Sequence, residues 1–132
     1  MITEKQKALI DKYPKLFRQV GLPPTVSCMA WGIECGEGWY PIIDKLSAKL
    51  IEVYGDKIEY AQIKEKFGTM RVYIDFLDED INRMEVFDLI SEYEAMSGII
   101  CERCGNPASI RNIRGWLSTL CDEHFKERSE LV

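Results

Sequence analysis

The stretch CERCGNPASIRNIRGWLSTLCDEH, residues 101–124, holds three of the five cysteines and the only histidine of the chain. Its donors come in two pairs, Cys101-x2-Cys104 and Cys121-x2-His124, separated by sixteen residues. Each pair can reach one ion, and three thiolates with one imidazole complete a closed tetrahedral zinc shell. Gly105 follows the second cysteine, where a tight knuckle needs a residue free to take positive φ. SIRNIRGWLSTL then suits a hairpin turning near Arg114-Gly115, and CDEHFKERSE suits a helix that presents Cys121 and His124 one turn apart. Knuckle, hairpin and helix together describe a treble-clef-like zinc module over residues 99–132. A thioredoxin-type CxxC would need a βαβ setting, which the sequence lacks. A catalytic Cys–His pair would take His124 off the metal. Four protein ligands leave no position for water, so the zinc is expected to be structural rather than catalytic, and enzyme function is disfavoured.

Outward from this segment, the other residues of the 132-residue chain read as one α+β body over residues 1–98. Thr3 and Gln6 fit a capping box that opens a first helix, with Pro14 as its break and GLPP, residues 21–24, as its end. A helix over about 40–54 follows from Ile42, Ile43, Leu46, Leu50, Val53 and Tyr54, with Pro41 in the first turn and Gly55 as the stop. Residues 58–66 and 69–77 predict a hairpin about Phe67-Gly68. A last body helix is expected over about 81–97, with Asp80 as N-cap and Gly98 as stop. The expected fold class is therefore α+β, with helices packed on a small antiparallel hairpin.

Composition narrows the function classes. The formal net charge is −5 and the pI is near 5.0, which disfavours general binding to phosphate backbones. The charge is uneven. Residues 1–100 hold twelve basic and seventeen acidic side chains, whereas Arg103, Arg111 and Arg114 lie in a stretch to Leu120 that has no acid. No apolar run is long enough to span a membrane. The charged start MITEKQKALIDKYPK has no apolar signal region, and the odd cysteine count is not a disulfide framework. Both point to a cytoplasmic location.

Two further regions carry candidate binding residues. In AWGIECGEGWYP, three glycines lie between Trp31 and Trp39. The loop is either pinned to the core by its tryptophans or offers them as a recognition surface. Cys28 and Cys35 beside it are read as buried thiols; a second metal would need Glu34, Glu37 or outside ligands. In the hairpin, a two-residue turn sets Lys64 against Arg71, Ile63 against Val72, Gln62 against Tyr73 and Ala61 against Ile74. The apolar pairs share one face. The other face carries Tyr60, Gln62, Lys64, Lys66, Arg71 and Tyr73. Lys64 and Arg71 are opposed like charges and call for an anion between them. That anion is either Glu34 or Glu37 folded over the sheet, or a phosphate or acidic group of a ligand.

SCMAWGIECGEGWYPIID, IKEKFGTMRVYID and ICERCGNPASIRNIRGWLSTLCDEH together resemble a family of small, mostly uncharacterised proteins of bacteria and their phages. In that family a Trp/Gly-rich segment, a Lys-Glu-Lys-Phe-Gly hairpin and a terminal CxxCG…GWxxTLCxxH site occur in this order. The resemblance spans roughly residues 27–125. It implies an intracellular zinc protein, carried by a phage or prophage, and transfers no catalytic residue. The expected function is a zinc-stabilised module that binds a protein partner, with inhibition of a host system as one use. Nucleic-acid binding through Arg103, Arg111, Arg114 and the Lys64/Lys66/Arg71 face is the second reading. A small anionic-ligand binder or enzyme centred on the hairpin face is the third.

Overall fold

The computed structural model describes residues 2–131. Helix α1, Glu4–Lys12, begins at Thr3, whose Oγ1 accepts the Gln6 N–H at 3.2 Å. It stops before Pro14, and Leu16 and Phe17 enter the core from the turn that follows. Helix α2, Tyr40–Tyr54, buries Ile42, Ile43, Leu46, Ser47 and Leu50 along one side and ends at Gly55, which has positive φ. Strands β1, Ile58–Lys66, and β2, Thr69–Phe76, form the first antiparallel hairpin, and helix α3, Arg83–Met96, packs against it. The second hairpin, β3 Ser109–Ile113 with β4 Trp116–Leu120, leads into helix α4, Asp122–Glu130. The fold is α+β with two separate two-stranded sheets.

Both edges of the first hairpin are partly covered near its turn. Beside β1, the Glu34 N–H donates to the Ile63 carbonyl at 2.9 Å, and the Glu65 N–H donates to the Glu34 carbonyl at 3.0 Å. Beside β2, the Met70 N–H donates to Ser97 Oγ at 2.8 Å and the Val72 N–H to a Glu94 carboxylate oxygen at 2.9 Å. Side chains at the end of α3 and the extended Glu34 segment thus act as the missing neighbours.

Several local expectations change. Gln6 does not return to Thr3. Its amide is buried, donating to the Ile33 carbonyl and the Tyr40 hydroxyl and accepting the Ile33 N–H, so it ties α1 to the Gly/Trp loop. The N-cap of α3 is Asn82, not Asp80. Its side chain accepts the Met84 and Glu85 N–H groups, while Asp78 accepts that of Asp80. Gly98 does not end α3 in a left-handed cap; the helix tightens into a turn over Ser97–Ile99.

The hairpin register from Gln62 to Lys66 is as the apolar pattern requires, but a bulge at Ala61 pairs Tyr60, not Ala61, with Ile74. An extra residue reverses the alternation beyond it. Tyr60 therefore turns from the charged face into the core. It is fully buried there, tilted against Phe17 at 4.9 Å between ring centres, with its hydroxyl 2.8 Å from Ser47 Oγ.

Candidate metal centre

The C-terminal segment brings its four donors together from three directions. Cys101 and Cys104 sit on a knuckle in which the Gly105 N–H donates to the Cys101 carbonyl at 2.9 Å, with Gly105 at φ 81°. The Cys101 N–H donates to the Asn106 carbonyl at 2.8 Å and closes the turn. Cys121 is the residue that precedes α4, and His124 lies in the first turn of that helix. The hairpin between them turns on Arg114 and Gly115, both at positive φ, and carries β4 back beside the knuckle, where the Glu102 N–H donates to the Thr119 carbonyl at 3.0 Å.

The Sγ atoms of Cys101, Cys104 and Cys121 and a ring nitrogen of His124 all lie within 4.8 Å of one another. Cys104 Sγ is 3.8 Å from Cys121 Sγ, and His124 Nδ1 is 3.5 Å from Cys101 Sγ and 3.3 Å from Cys121 Sγ. A tetrahedron with Zn–S bonds of about 2.3 Å and Zn–N bonds of about 2.0–2.1 Å has S···S edges of about 3.8 Å and S···N edges of about 3.5 Å. These three edges match a zinc-sized ion with Nδ1 as the His124 donor, and the remaining donor pairs lie within 4.8 Å. Burial opposes ionisation of Cys101, but backbone N–H groups of Cys121, Cys104 and Arg103, with His124, outweigh it and draw its pKa from 9.0 to about 6.

The knuckle is seated on the Gly/Trp loop, which explains the composition of that loop. The Gly38 N–H donates to the Glu102 carbonyl at 2.7 Å, the Gly36 N–H to a Glu102 carboxylate oxygen at 3.0 Å, and Trp39 Nε1 to the Ile100 carbonyl at 2.8 Å. A Cβ on Gly38 would collide with the carbonyl oxygen of Cys101. The third glycine of the loop, Gly32, at φ 77°, is pressed against the Gln6 amide in the same way. Trp39 is fully buried and leaves the candidate binding surface, because its ring fills the core beneath the knuckle and its N–H is used there. Trp31 is 64% exposed, so the two tryptophans that look alike in sequence have opposite fates. Cys35 is half-buried, and burial, aided by the Glu102 and Glu65 carboxylates, pushes its thiol pKa up. Cys28 is exposed, contrary to the expectation of a buried thiol. Among the described residues, neither joins a metal-ligating group.

The charged candidates divide. Arg103 pairs with Glu127 at 3.0 Å, and Arg111 pairs with Asp122 at 2.6 Å while lying over the Phe125 ring. Glu37 pairs with Lys5 at 3.4 Å, away from the hairpin. Glu34 does come beside Lys64, as a parallel bridge, but its carboxylate accepts from Gln62 at 3.4 Å. Among the described residues no carboxylate lies within 4.0 Å of Lys64, Lys66, Arg71 or Arg114. Tyr73 shares this face and is 46% exposed. The sequence reading gave Gln6 only a capping role and passed over Glu102; the buried Gln6 and half-buried Glu102 side chains sew the loop to α1 and to the knuckle. It also passed over Phe67 and Trp116, which are exposed aromatics at the tips of the two hairpins. Their place beside X-Gly turns was the available signal. No helix is long and apolar enough to cross a membrane. No protein-family model, no curated protein and no solved structure matches this chain.

Proposed function

We propose that the chain is a non-catalytic binding module whose C-terminal treble-clef-like segment is folded around one structural zinc ion and whose surface engages a protein partner. The observation that carries this reading is the fit of the Cys101, Cys104, Cys121 and His124 atoms to the edges of a tetrahedral zinc shell. Four protein donors leave no open position for a zinc-bound water, and the chain has no second histidine to activate one. The pairing of Arg103 and Arg111 with acids of α4 supports a protein partner over nucleic acid, because two of the three arginines that the cysteine-rich segment offers for phosphate contacts are already engaged. The order of the three motifs supports placing the chain with the small bacterial and phage proteins that it resembles. In a phage setting such a module would serve to engage and inhibit a host protein.

Elemental analysis of protein purified without chelator tests the metal. One zinc per chain is expected, and loss of that zinc in Cys104→Ser. Metal-free protein with an ordered C-terminal segment would overturn the reading.

A further inference from the structure

The tips of the two hairpins lie side by side. Thr119 Oγ1 donates to the Gly68 carbonyl at 2.6 Å, and a cleft of about 470 Å³ opens between the turns, lined by Glu65, Lys66, Phe67, Gly115, Trp116 and Leu117. Phe67 is 66% exposed and Trp116 is 62% exposed. Phe67 also has φ 54°. A bulky side chain is strongly disfavoured in that left-handed conformation, and the first central position of this turn type favours Asn, Asp or Gly. Folding therefore gains nothing from Phe67 on either count: its ring faces solvent and its backbone is strained. Local rules are broken in this way where a residue serves a purpose other than folding.

The cleft is continuous with the charged strand face through Lys66, which belongs to both. Lys64 and Arg71 are directly opposed there, and Arg114 precedes Gly115 in the second turn. Among the described residues none of these four cations has a carboxylate within 4.0 Å, in a chain of net charge −5. We propose that the hairpin tips form a docking surface for an acidic polypeptide segment, with one apolar side chain of that segment held between Phe67 and Trp116 and its carboxylates held by Lys64, Lys66, Arg71 and Arg114. The charge distribution selects a short acidic peptide over a nucleic acid. A peptide meets only the local cations, whereas a long polyanion also meets the acidic remainder of the molecule, and Glu65 lines the cleft itself. This inference rests on the reading of the chain as a partner-binding module and names the chemistry of the partner.

Two substitutions separate binding from folding. Phe67→Asn creates the Asn-Gly pair that this turn favours, so Tm should rise by a few degrees while the aromatic wall is lost. Arg71→Glu replaces opposed like charges by an opposite-charge pair, so it should also hold or raise Tm. The probe is a synthetic peptide of Asp and Glu with one central Phe, titrated into the zinc-loaded protein at low salt and followed by amide chemical shifts. Shifts at Phe67–Gly68 and Gly115–Trp116 are expected, with affinity falling as salt is added. A loss of about tenfold or more is expected in Phe67→Asn, Trp116→Ala and Arg71→Glu. The proposal is overturned if the peptide does not bind, if the three variants bind it as wild type does, if a Lys-for-acid peptide binds equally, or if oligothymidine binds more tightly. If the peptide fails but the protein captures one stoichiometric protein from a lysate, and Trp31→Ala loses it, only the hairpin surface falls. If it captures none, the module reading falls with it.

Discussion

The body is held by Trp39, Ile43, Leu46, Leu50, Ile58, Tyr60 and Ile63, all fully buried in one cluster shared by α2, the first hairpin and the Gly/Trp loop. The C-terminal segment has a separate buried cluster of Cys101, Ile113, Leu120 and Cys121, with Ala108 and Phe125 packed against it, and two of these are candidate metal ligands. A fully buried aliphatic side chain contributes about 1.5–3 kcal/mol, and Ile113 and Leu120 are the only two that the second cluster has. The body can therefore stand on hydrophobic burial, whereas the segment has at its centre a Cys/His cluster close enough to bind a metal ion. The difference teaches why the seam between them matters: the knuckle is positioned by backbone hydrogen bonds from the Gly/Trp loop as well as by its own ligands.

Metal removal should break the comparison most visibly. Zinc binding in small domains supplies about 10–16 kcal/mol of folding free energy. Chelation should therefore abolish amide protection over residues 101–124 while that of α2 and the first hairpin persists. Loss of protection throughout the chain would mean that the two regions are one cooperative unit.

The seam comes next. Gly38→Ala drives a methyl group into the Cys101 carbonyl, where both sides are backbone and cannot yield cheaply. A loss of about 3 kcal/mol in unfolding free energy is expected, at the upper end for overpacking. Zinc affinity should fall in parallel, because the same carbonyl closes the knuckle. Denaturant unfolding and a competitive zinc titration read the two effects. A stability loss with unchanged zinc affinity would show that the seam supports the body alone.

Trp39→Phe is milder. It keeps an aromatic ring in the core but removes the N–H that satisfies the Ile100 carbonyl. A cost of about 1–3 kcal/mol is expected for the unmade bond, measured as a shift in the denaturant midpoint at constant slope.

The smallest effect concerns pH. Burial raises the pKa of Glu102 above its ordinary 4.5, against the Gly36 N–H, with help from the Glu65 carboxylate. A carboxyl with a raised folded pKa stabilises the fold below its unfolded pKa, and that stabilisation is lost as pH rises through the folded value. Glu102→Gln can still accept the Gly36 N–H and carries no charge. It should be more stable than wild type at neutral pH, with the difference shrinking as pH falls toward 4.5. Denaturant midpoints of both proteins at each pH cancel the metal-linked protonation that they share. A difference that grows toward acid would refute the assignment.

Much of the candidate site was legible because its signals are local. Ligand spacing fixes Cys101, Cys104, Cys121 and His124 within one segment, and the Phe67-Gly68 and Arg114-Gly115 pairs each mark a two-residue turn. Alternation fixed the register from Gln62 to Lys66. The bulge at Ala61 carries no such mark. Its cause lies in tertiary packing, where Tyr60 gains a buried place against Phe17 and Ser47. Asn82 over Asp80 as a cap is a choice between two good capping residues that spacing alone does not separate.

The sequence by itself determined the α+β class, the two hairpin turns and the four donors of the metal cluster, because each follows from the geometry of a few neighbouring residues. Only the tertiary structure decided which tryptophan is core and which is surface, which arginines remain without an acid, and that the Gly/Trp loop is the seat of the knuckle. The tryptophan and loop outcomes depend on close approach between segments more than sixty residues apart, such as Gly38 and Glu102, and the arginine outcome on which acids α4 brings to Arg103 and Arg111. A glycine shows that a neighbour can come close; it does not show which neighbour will.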